Sequence, residues 1–181
     1  MKKDILAAAV LIFVLILLFS GTKIQSVEDY YLIHADDITE GSKTVFLTIV
    51  CDTVLDNWEN LDPALKNEKY VPGDGVILAR KEFVLREGDT VYDILNRAVR
   101  NAKIHMECIY SVNYESVYVQ GINHLYEFSC GPLSGWMYHV NGQYPQYGCS
   151  KYFLEDGDEI IWAYTCDLGR DIGGYMGEYQ R

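Results

Sequence analysis

Strand-like alternation of apolar and polar positions occurs in several segments of the chain. In residues 44–50, Val45, Leu47 and Ile49 face one side while other apolar residues face the opposite side. This pattern predicts a central strand that is covered on both faces. The other predicted strands are residues 76–85, 116–119 and 135–140, a return strand within 148–154, and a strongly apolar last strand at 159–166.

Residues 90–103 have the one clear helical period. Apolar side chains recur there at i, i+3, i+4 and i+7, which predicts an amphipathic helix. Thr90 and Asp93 stand at the spacing of a capping box at its start. The basic side chains toward its end suit the helix dipole, and we expect them on a solvated face. They are Arg97, Arg100 and Lys103.

One main helix against four or five strands predicts the α+β class. The helix follows the first strands, and the first and last strands are both richly apolar. This order is typical of a β-grasp-like mixed sheet, in which the first and last strands pair in parallel at the centre. The Asn141-Gly142 pair predicts a tight type I′ turn after the strand at 135–140.

A positively charged start precedes a long apolar run at the N-terminus. Lys2 and Lys3 come before residues 5–19, which are all apolar. The pattern predicts a single-pass membrane anchor with an extracytoplasmic domain, or a cleaved signal peptide and a secreted domain. The predicted divisions are 1–22 for the signal peptide or transmembrane helix, 23–43 for an acidic linker and 44–181 for the domain.

Charge and motifs exclude several classes of function. With 26 acidic and 15 basic residues the net charge is −11, which disfavours nucleic acid as a partner. The sequence contains no phosphate-binding loop, no nucleophile elbow with a histidine partner and no histidine-rich metal motif. We therefore expect a protein that is not an enzyme, has no metal site and requires no cofactor.

Several motifs of the second half occur in a defined order. They are Ser134-Gly135-Trp136-Met137-Tyr138 with Val140-Asn141-Gly142, then Gly148-Cys149-Ser150 with Tyr152, then residues 154–162 and 164–171. Together they resemble the transcobalamin-like C-terminal domain family, which is also a domain of unknown function in exported bacterial proteins. The resemblance extends over residues 44–174.

This resemblance implies a domain similar to the smaller domain of the vertebrate cobalamin carriers. In those proteins a helical barrel and this β-rich domain enclose the corrinoid between them. The present domain has no such barrel, so we expect it to cover only one face of a corrinoid. The resemblance also places the ligand at the hairpin and the following loop. The expected ligand-facing residues are Trp136, Tyr138, Asn141, Tyr144 and Tyr147. The alternative is that Trp136 and Tyr138 are core residues and the other tyrosines are ordinary loop residues.

Four of the five cysteines lie in or beside the motif segments. Export permits disulfides, and four cysteines allow three pairings. We favour Cys51–Cys166, because parallel first and last strands would end together, and Cys130–Cys149, because these two bracket the Trp136 hairpin. Cys108 is expected to be a packed thiol. The wide spacing without a C-x-x-C motif argues against a zinc site.

The sequence thus predicts an extracytoplasmic, membrane-anchored module that binds a small ligand. Cobalamin or a related corrinoid is the leading candidate, and a transporter or another surface protein would receive it. The alternative is a cell-surface module that contacts protein or polysaccharide through its clustered tyrosines and binds no small molecule.

Overall fold

The computed structural model describes residues 12–13, 27, 34 and 36–174. The chain divides into two compact units, Met1–His34 and Ala35–Arg181. In the first unit only four residues are described, and all are helical: Ile12, Phe13, Val27 and His34. The predicted anchor at 1–22 therefore lies almost wholly outside the described residues. Among the described helices, none has the length and apolar character needed to cross a membrane.

The second unit is a mixed α+β structure with two sheets and one main helix. Its strands are β1 (Thr44–Val50), β2 (Val76–Val84), β3 (Met106–Ser111), β4 (Ser116–Ile122), β5 (Leu125–Tyr126), β6 (Gly135–Val140) and β7 (Glu159–Thr165). A four-residue helix, α1 (Thr53–Asp56), follows β1, and the main helix, α2 (Val91–Ala102), follows β2. Single 3₁₀ turns occupy Trp58–Asn60, Pro63–Leu65, Cys149–Lys151 and Arg170–Ile172.

The larger sheet has the strand order β2-β1-β7-β6. β1 and β7 pair in parallel at its centre, from Phe46 opposite Glu159 to Val50 opposite Ala163. The predicted parallel pairing of the first and last strands is therefore confirmed. The alternation in β1 decides the register, because it sends Val45, Leu47 and Ile49 into the core.

The smaller sheet, of order β3-β4-β5, was not predicted as a separate layer. β3 was not predicted because none of its side chains is fully buried, so its sequence lacks a clear alternation of apolar and polar residues. The predicted return strand within 148–154 is wrong. That segment forms the 3₁₀ turn Cys149–Lys151 and an isolated bridge between Phe153 and Thr90. β7, rather than this segment, pairs with β6.

The main helix has the predicted boundaries and cap. The Thr90 hydroxyl accepts a hydrogen bond from the Asp93 amide, and the Asp93 carboxylate accepts one from the Thr90 amide. This capping box satisfies two amides that the first helical turn leaves free. The buried face carries Val91, Ile94, Leu95, Ala98 and Val99.

The expectation that Arg97 is solvated is wrong. Its side chain is only 13% exposed, and its guanidinium lies 2.8 Å from the Asp89 carboxylate and 3.4 Å from that of Asp36. It also donates to the Val84 carbonyl. Asp36 belongs to the predicted linker, so this part of the linker is joined to the domain by an ion pair. Sequence periodicity missed the contact because the partners lie on other elements.

Two clusters of buried side chains form the core. The larger lies between α2 and the sheets and includes Phe83, Trp162 and Cys149. The smaller includes Cys51, Leu61, Val71, Leu125, Cys130 and Tyr164. Trp136 packs against both clusters, so it connects the two parts of the interior.

Candidate functional site

A shallow apolar groove lies between the β3–β4 hairpin and the loop before the 3₁₀ turn at Cys149. Its volume is about 240 Å³. We call it the tyrosine groove, because three tyrosine rings form much of its surface. Its lining residues are Ser111, Tyr114, Ser116, Val117, Tyr118, Pro145, Gln146, Tyr147 and Gly148.

The groove exists because the loop approaches the hairpin closely. A Cβ atom on Gly148 would lie only 1.9 Å from the Ser116 hydroxyl, so a larger residue would push the two segments apart. The Ser150 hydroxyl lies 2.9 Å from the Ser116 hydroxyl and accepts a hydrogen bond from the Val117 amide. These contacts hold the loop against β4 and form the floor of the groove.

Three tyrosines present large apolar surfaces to solvent around this floor. The exposed fraction is 75% for Tyr114, 41% for Tyr118 and 52% for Tyr147. Aromatic side chains are usually buried in protein cores. Several exposed rings around one concavity therefore indicate a contact surface. None of the lining side chains is a charged residue. The groove therefore suits an uncharged, partly apolar ligand group.

Two of these rings are held in place from behind. The Tyr147 ring stacks on the Tyr152 ring at a centroid distance of 5.7 Å and an interplanar angle of 16°. The Tyr147 backbone carbonyl accepts a hydrogen bond from the Tyr138 hydroxyl at 2.7 Å. The Tyr118 hydroxyl donates to Glu127 at 2.6 Å. Burial and this hydrogen bond raise the pKa of Tyr118 to about 12, so the hydroxyl remains neutral.

Of the five expected ligand-facing residues, only Tyr147 lines the groove. Tyr138 is half-buried against Trp162 and supports the Tyr147 loop through its hydroxyl. Trp136 donates from its indole nitrogen to the Leu125 carbonyl at 2.8 Å. Tyr144 donates to the Ile172 carbonyl at 2.7 Å. These three side chains make internal contacts in this structure.

Asn141 has a structural role in the turn that was predicted from its pairing with glycine. Asn141 and Gly142 both have positive φ, as a type I′ turn requires. The Asn141 amide group donates to Asp158 at 2.7 Å and accepts from the Glu159 amide at 2.9 Å. The side chain therefore joins the end of β6 to the start of β7.

Sequence reasoning did not single out Tyr114 and Tyr118, which line the groove. A signal was present in the chain, since Tyr110, Tyr114 and Tyr118 follow each other at intervals of four. This spacing of tyrosines could not be interpreted without β3, because the pairing of β3 with β4 is what makes residues 106–122 a hairpin. Its turn then stands beside the Tyr147 loop.

All five cysteines are free thiols in the structure. The predicted Cys130–Cys149 bridge is not formed, and its two cysteines lie in different core clusters. The predicted Cys51–Cys166 bridge is not formed either. Cys51 and Cys149 are buried, and burial raises the pKa of each to about 12. In the described part of the chain, no group of three or more His, Cys, Asp or Glu side chains is arranged to hold a metal ion.

His139 gives the domain an expected pH dependence. Burial lowers the pKa of His139 below its ordinary value of 6.5, and Glu159 opposes this shift only in part. Just below pH 6.5 the His139 imidazole is therefore protonated more readily in the unfolded chain than in the folded domain. Stability from this group is complete above pH 6.5 and is lost as the pH falls below that value.

We expect His139→Gln to flatten the decrease in unfolding free energy between about pH 7 and pH 5. Urea unfolding across that range measures the effect. Parallel profiles for the two proteins would show that His139 titrates alike in the folded and unfolded states.

The groove and its hairpin lie within a segment that matches a family model. Residues 88–166 match the family model described as Domain of unknown function (DUF4430). No curated protein matches the chain. Among solved structures, the chain is similar to a protein from Ruminococcus gnavus ATCC 29149 that is described as a "putative metal binding protein". The two share 10% sequence identity with a TM-score of 0.37, over 68% of this chain and 96% of that chain.

Proposed function

We propose that the domain is a non-catalytic binding module that holds one ring of a larger, uncharged ligand group in the tyrosine groove. The observation that carries this proposal is the concavity lined by Tyr114, Tyr118 and Tyr147, with a floor fixed by hydrogen bonds. A corrinoid is the leading ligand. The support for it is the resemblance to the transcobalamin-like β-grasp domains, and the DUF4430 match over residues 88–166 includes most of the same motif residues.

The size of the groove supports partial rather than complete enclosure of the ligand. Its volume of about 240 Å³ is below the range of pockets that bury a drug-sized molecule. A ligand as large as a corrinoid would therefore insert one edge and remain open on its other face. That remaining face is available to a transporter or another surface protein. The apolar N-terminal run supports extracytoplasmic display of the domain at the membrane.

A polysaccharide is the second candidate, favoured by the mixed lining of the groove. Tyrosine rings provide flat apolar faces for sugar rings, while Ser111, Ser116 and Gln146 add neutral polar groups at the same surface. The groove is open to solvent, so a chain of linked sugars can continue past it on either side. This ligand class needs no second protein to complete the site.

Titration of the full-length protein tests the proposal. We expect cobalamin or cobinamide to produce a calorimetric response, with neutral oligosaccharides as the competing ligand class. Tyr147→Ala should weaken binding about tenfold, because it removes one ring face from the contact. Tyr110→Ala is the matched control, since Tyr110 is 63% exposed but lies outside the groove lining.

The results separate the two ligand classes and the position of the site. A response to oligosaccharides alone selects the polysaccharide reading. Equal loss of affinity in Tyr147→Ala and Tyr110→Ala would place the contact outside the groove. No response to either class at high micromolar concentration would reject binding by this groove.

A further inference from the structure

Two cysteines that are far apart in sequence lie at the same end of the larger sheet and in the same core cluster. Cys166 directly follows β7, and Cys130 lies in the loop that leads into β6. β6 and β7 are antiparallel, and Gly135 pairs with Thr165 at this end. The loop before β6 and the segment after β7 therefore leave the sheet next to each other.

The short helix α1 and its C-cap residue Asn57 contact both sulfur atoms. The Cys130 thiol donates to the Asn57 carbonyl at 3.5 Å, and the Cys166 sulfur lies 3.7 Å from the Thr53 hydroxyl. Asn57 is itself tied to Thr53, because its side-chain amide donates to the Thr53 carbonyl at 2.8 Å. Cys130 belongs to the smaller core cluster, and the Cys166 side chain packs against that cluster.

Ser134 fixes the loop that carries Cys130. Its hydroxyl accepts from the Cys130 amide at 3.0 Å and donates to the Gly131 carbonyl at 2.8 Å. The buried Tyr164 hydroxyl lies 2.9 Å from the same oxygen. Because Tyr164 belongs to β7, these bonds hold the Cys130 loop in a constant position relative to the end of that strand.

We propose that Cys130 and Cys166 form an intramolecular disulfide when the domain folds in an oxidising compartment. The bond joins the entry to β6 with the exit of β7. This pairing differs from both bridges predicted from the sequence. It rests on the juxtaposition of the two thiols and does not depend on the ligand of the tyrosine groove.

Thiol–disulfide exchange forms the bond, with the disulfide of a thiol oxidoreductase as oxidant. One cysteine thiolate attacks a sulfur of the oxidant, which forms a mixed disulfide and releases one thiol of the oxidant. The second cysteine thiolate then attacks the first cysteine sulfur and releases the other oxidant thiol. Two electrons and two protons pass to the oxidant, which leaves as a dithiol.

Burial limits when this exchange takes place. Burial raises the pKa of Cys166 to about 12 and also raises that of Cys130. Thiolates are the reacting species, so the folded and reduced domain exchanges slowly at neutral pH. Exchange is expected mainly during folding, before the two sulfurs are enclosed.

Two of the remaining cysteines, Cys149 and Cys108, have other surroundings. Cys149 lies in the larger core cluster and its thiol donates to the Val117 carbonyl at 3.4 Å. The Cys108 sulfur lies 3.6 Å from the Tyr92 hydroxyl. Cys51 belongs to the same core cluster as Cys130, where it directly follows β1, and the thiols of Cys130 and Cys166 both contact the segment of α1 and Asn57. The proposal therefore assigns one bridge and three thiols.

Peptide mapping of the full-length protein tests this assignment. The chain is refolded from urea in detergent with a mixture of reduced and oxidised glutathione, quenched with N-ethylmaleimide, and digested without reduction. We expect one linked peptide pair that joins Cys130 to Cys166, and alkylated Cys51, Cys108 and Cys149. A Cys51–Cys166 or Cys130–Cys149 link, or alkylation of all five cysteines, would overturn the proposal.

Variants and reduction provide a second, independent readout. Cys130→Ser should leave Cys166 alkylated, while the control Cys108→Ser should keep the linked peptide. Reduction should lower the thermal midpoint of the wild-type protein by roughly 10 °C, because the bridge closes a long loop. The midpoint of the double variant Cys130→Ser/Cys166→Ser should not respond to reduction. An equal response in both proteins would contradict the bridge.

Discussion

Replacing Arg97 with methionine is expected to lower the free energy of unfolding by about 3–5 kcal/mol. The guanidinium lies beside the carboxylates of Asp89 and Asp36, whose side chains are only 10% and 6% exposed. Removing the guanidinium takes a positive charge away from two carboxylates that are largely buried. The apolar methionine side chain also cannot donate to the Val84 carbonyl.

Urea unfolding measures this loss, and the same helix offers a matched control. Arg100 is also basic and lies in the last turn of α2, but its side chain is exposed. Arg100→Met should change the unfolding free energy by no more than about 0.5 kcal/mol. Similar losses in the two variants would mean that charge on this helix, rather than the Asp36–Arg97–Asp89 contact, determines stability.

Replacing Trp136 with alanine is expected to cost about 3–5 kcal/mol of stability. The side chain packs against both core clusters and meets the Tyr164 ring edge-on at a centroid distance of 5.2 Å. An alanine would leave a cavity at the junction of the clusters. It would also leave the Leu125 carbonyl without the indole donor.

Trp136→Phe separates the two contributions. Phenylalanine retains most of the ring volume and loses the hydrogen bond, so the expected cost falls to about 1–2 kcal/mol. Leu133→Ala is the control, because Leu133 is 40% exposed in the loop before β6. A loss below about 1 kcal/mol for Trp136→Ala would show that the two clusters are stable without this connection.

The Trp136 result also decides how binding experiments are designed. The sequence leaves Trp136 as either a ligand-facing or a core residue, and in the structure its indole hydrogen bond and packing are internal. A binding defect in Trp136→Ala would therefore be mixed with loss of folded protein. Tyr147 is the better probe of ligand contact, because half of its surface is exposed and its removal leaves the core intact.

The elements that the sequence predicted well are those with strong local patterns. The alternation in β1 and β7 and the helical period of α2 each encode burial along a single element. The capping box of Thr90 and Asp93 acts within four residues, so its spacing was sufficient to place the helix start. Local signals of this kind can be read without knowing what packs against them.

The missed features have partners that are distant in the sequence. Residues 148–154 look extended, yet the hydrogen bonds of β6 go to β7 and this segment closes over α2 and β4. Arg97 looks like a solvent-facing helix residue, yet its partners come from a turn and from the predicted linker. The groove likewise depends on the approach of Gly148 to Ser116, which no local pattern encodes.

The sequence by itself determined the α+β class, the central parallel pairing of β1 with β7 and the boundaries of the main helix. The class and the helix boundaries follow from apolar periodicity, because burial along a segment is encoded in that segment. The parallel pairing follows from the order of elements, which is typical of a β-grasp-like sheet. Only the tertiary structure decided which tyrosines surround a groove and which cysteines become neighbours. Those relations depend on how loops that are distant in the sequence pack against each other. The free energy of that packing is distributed over many contacts between segments, so no single segment encodes it.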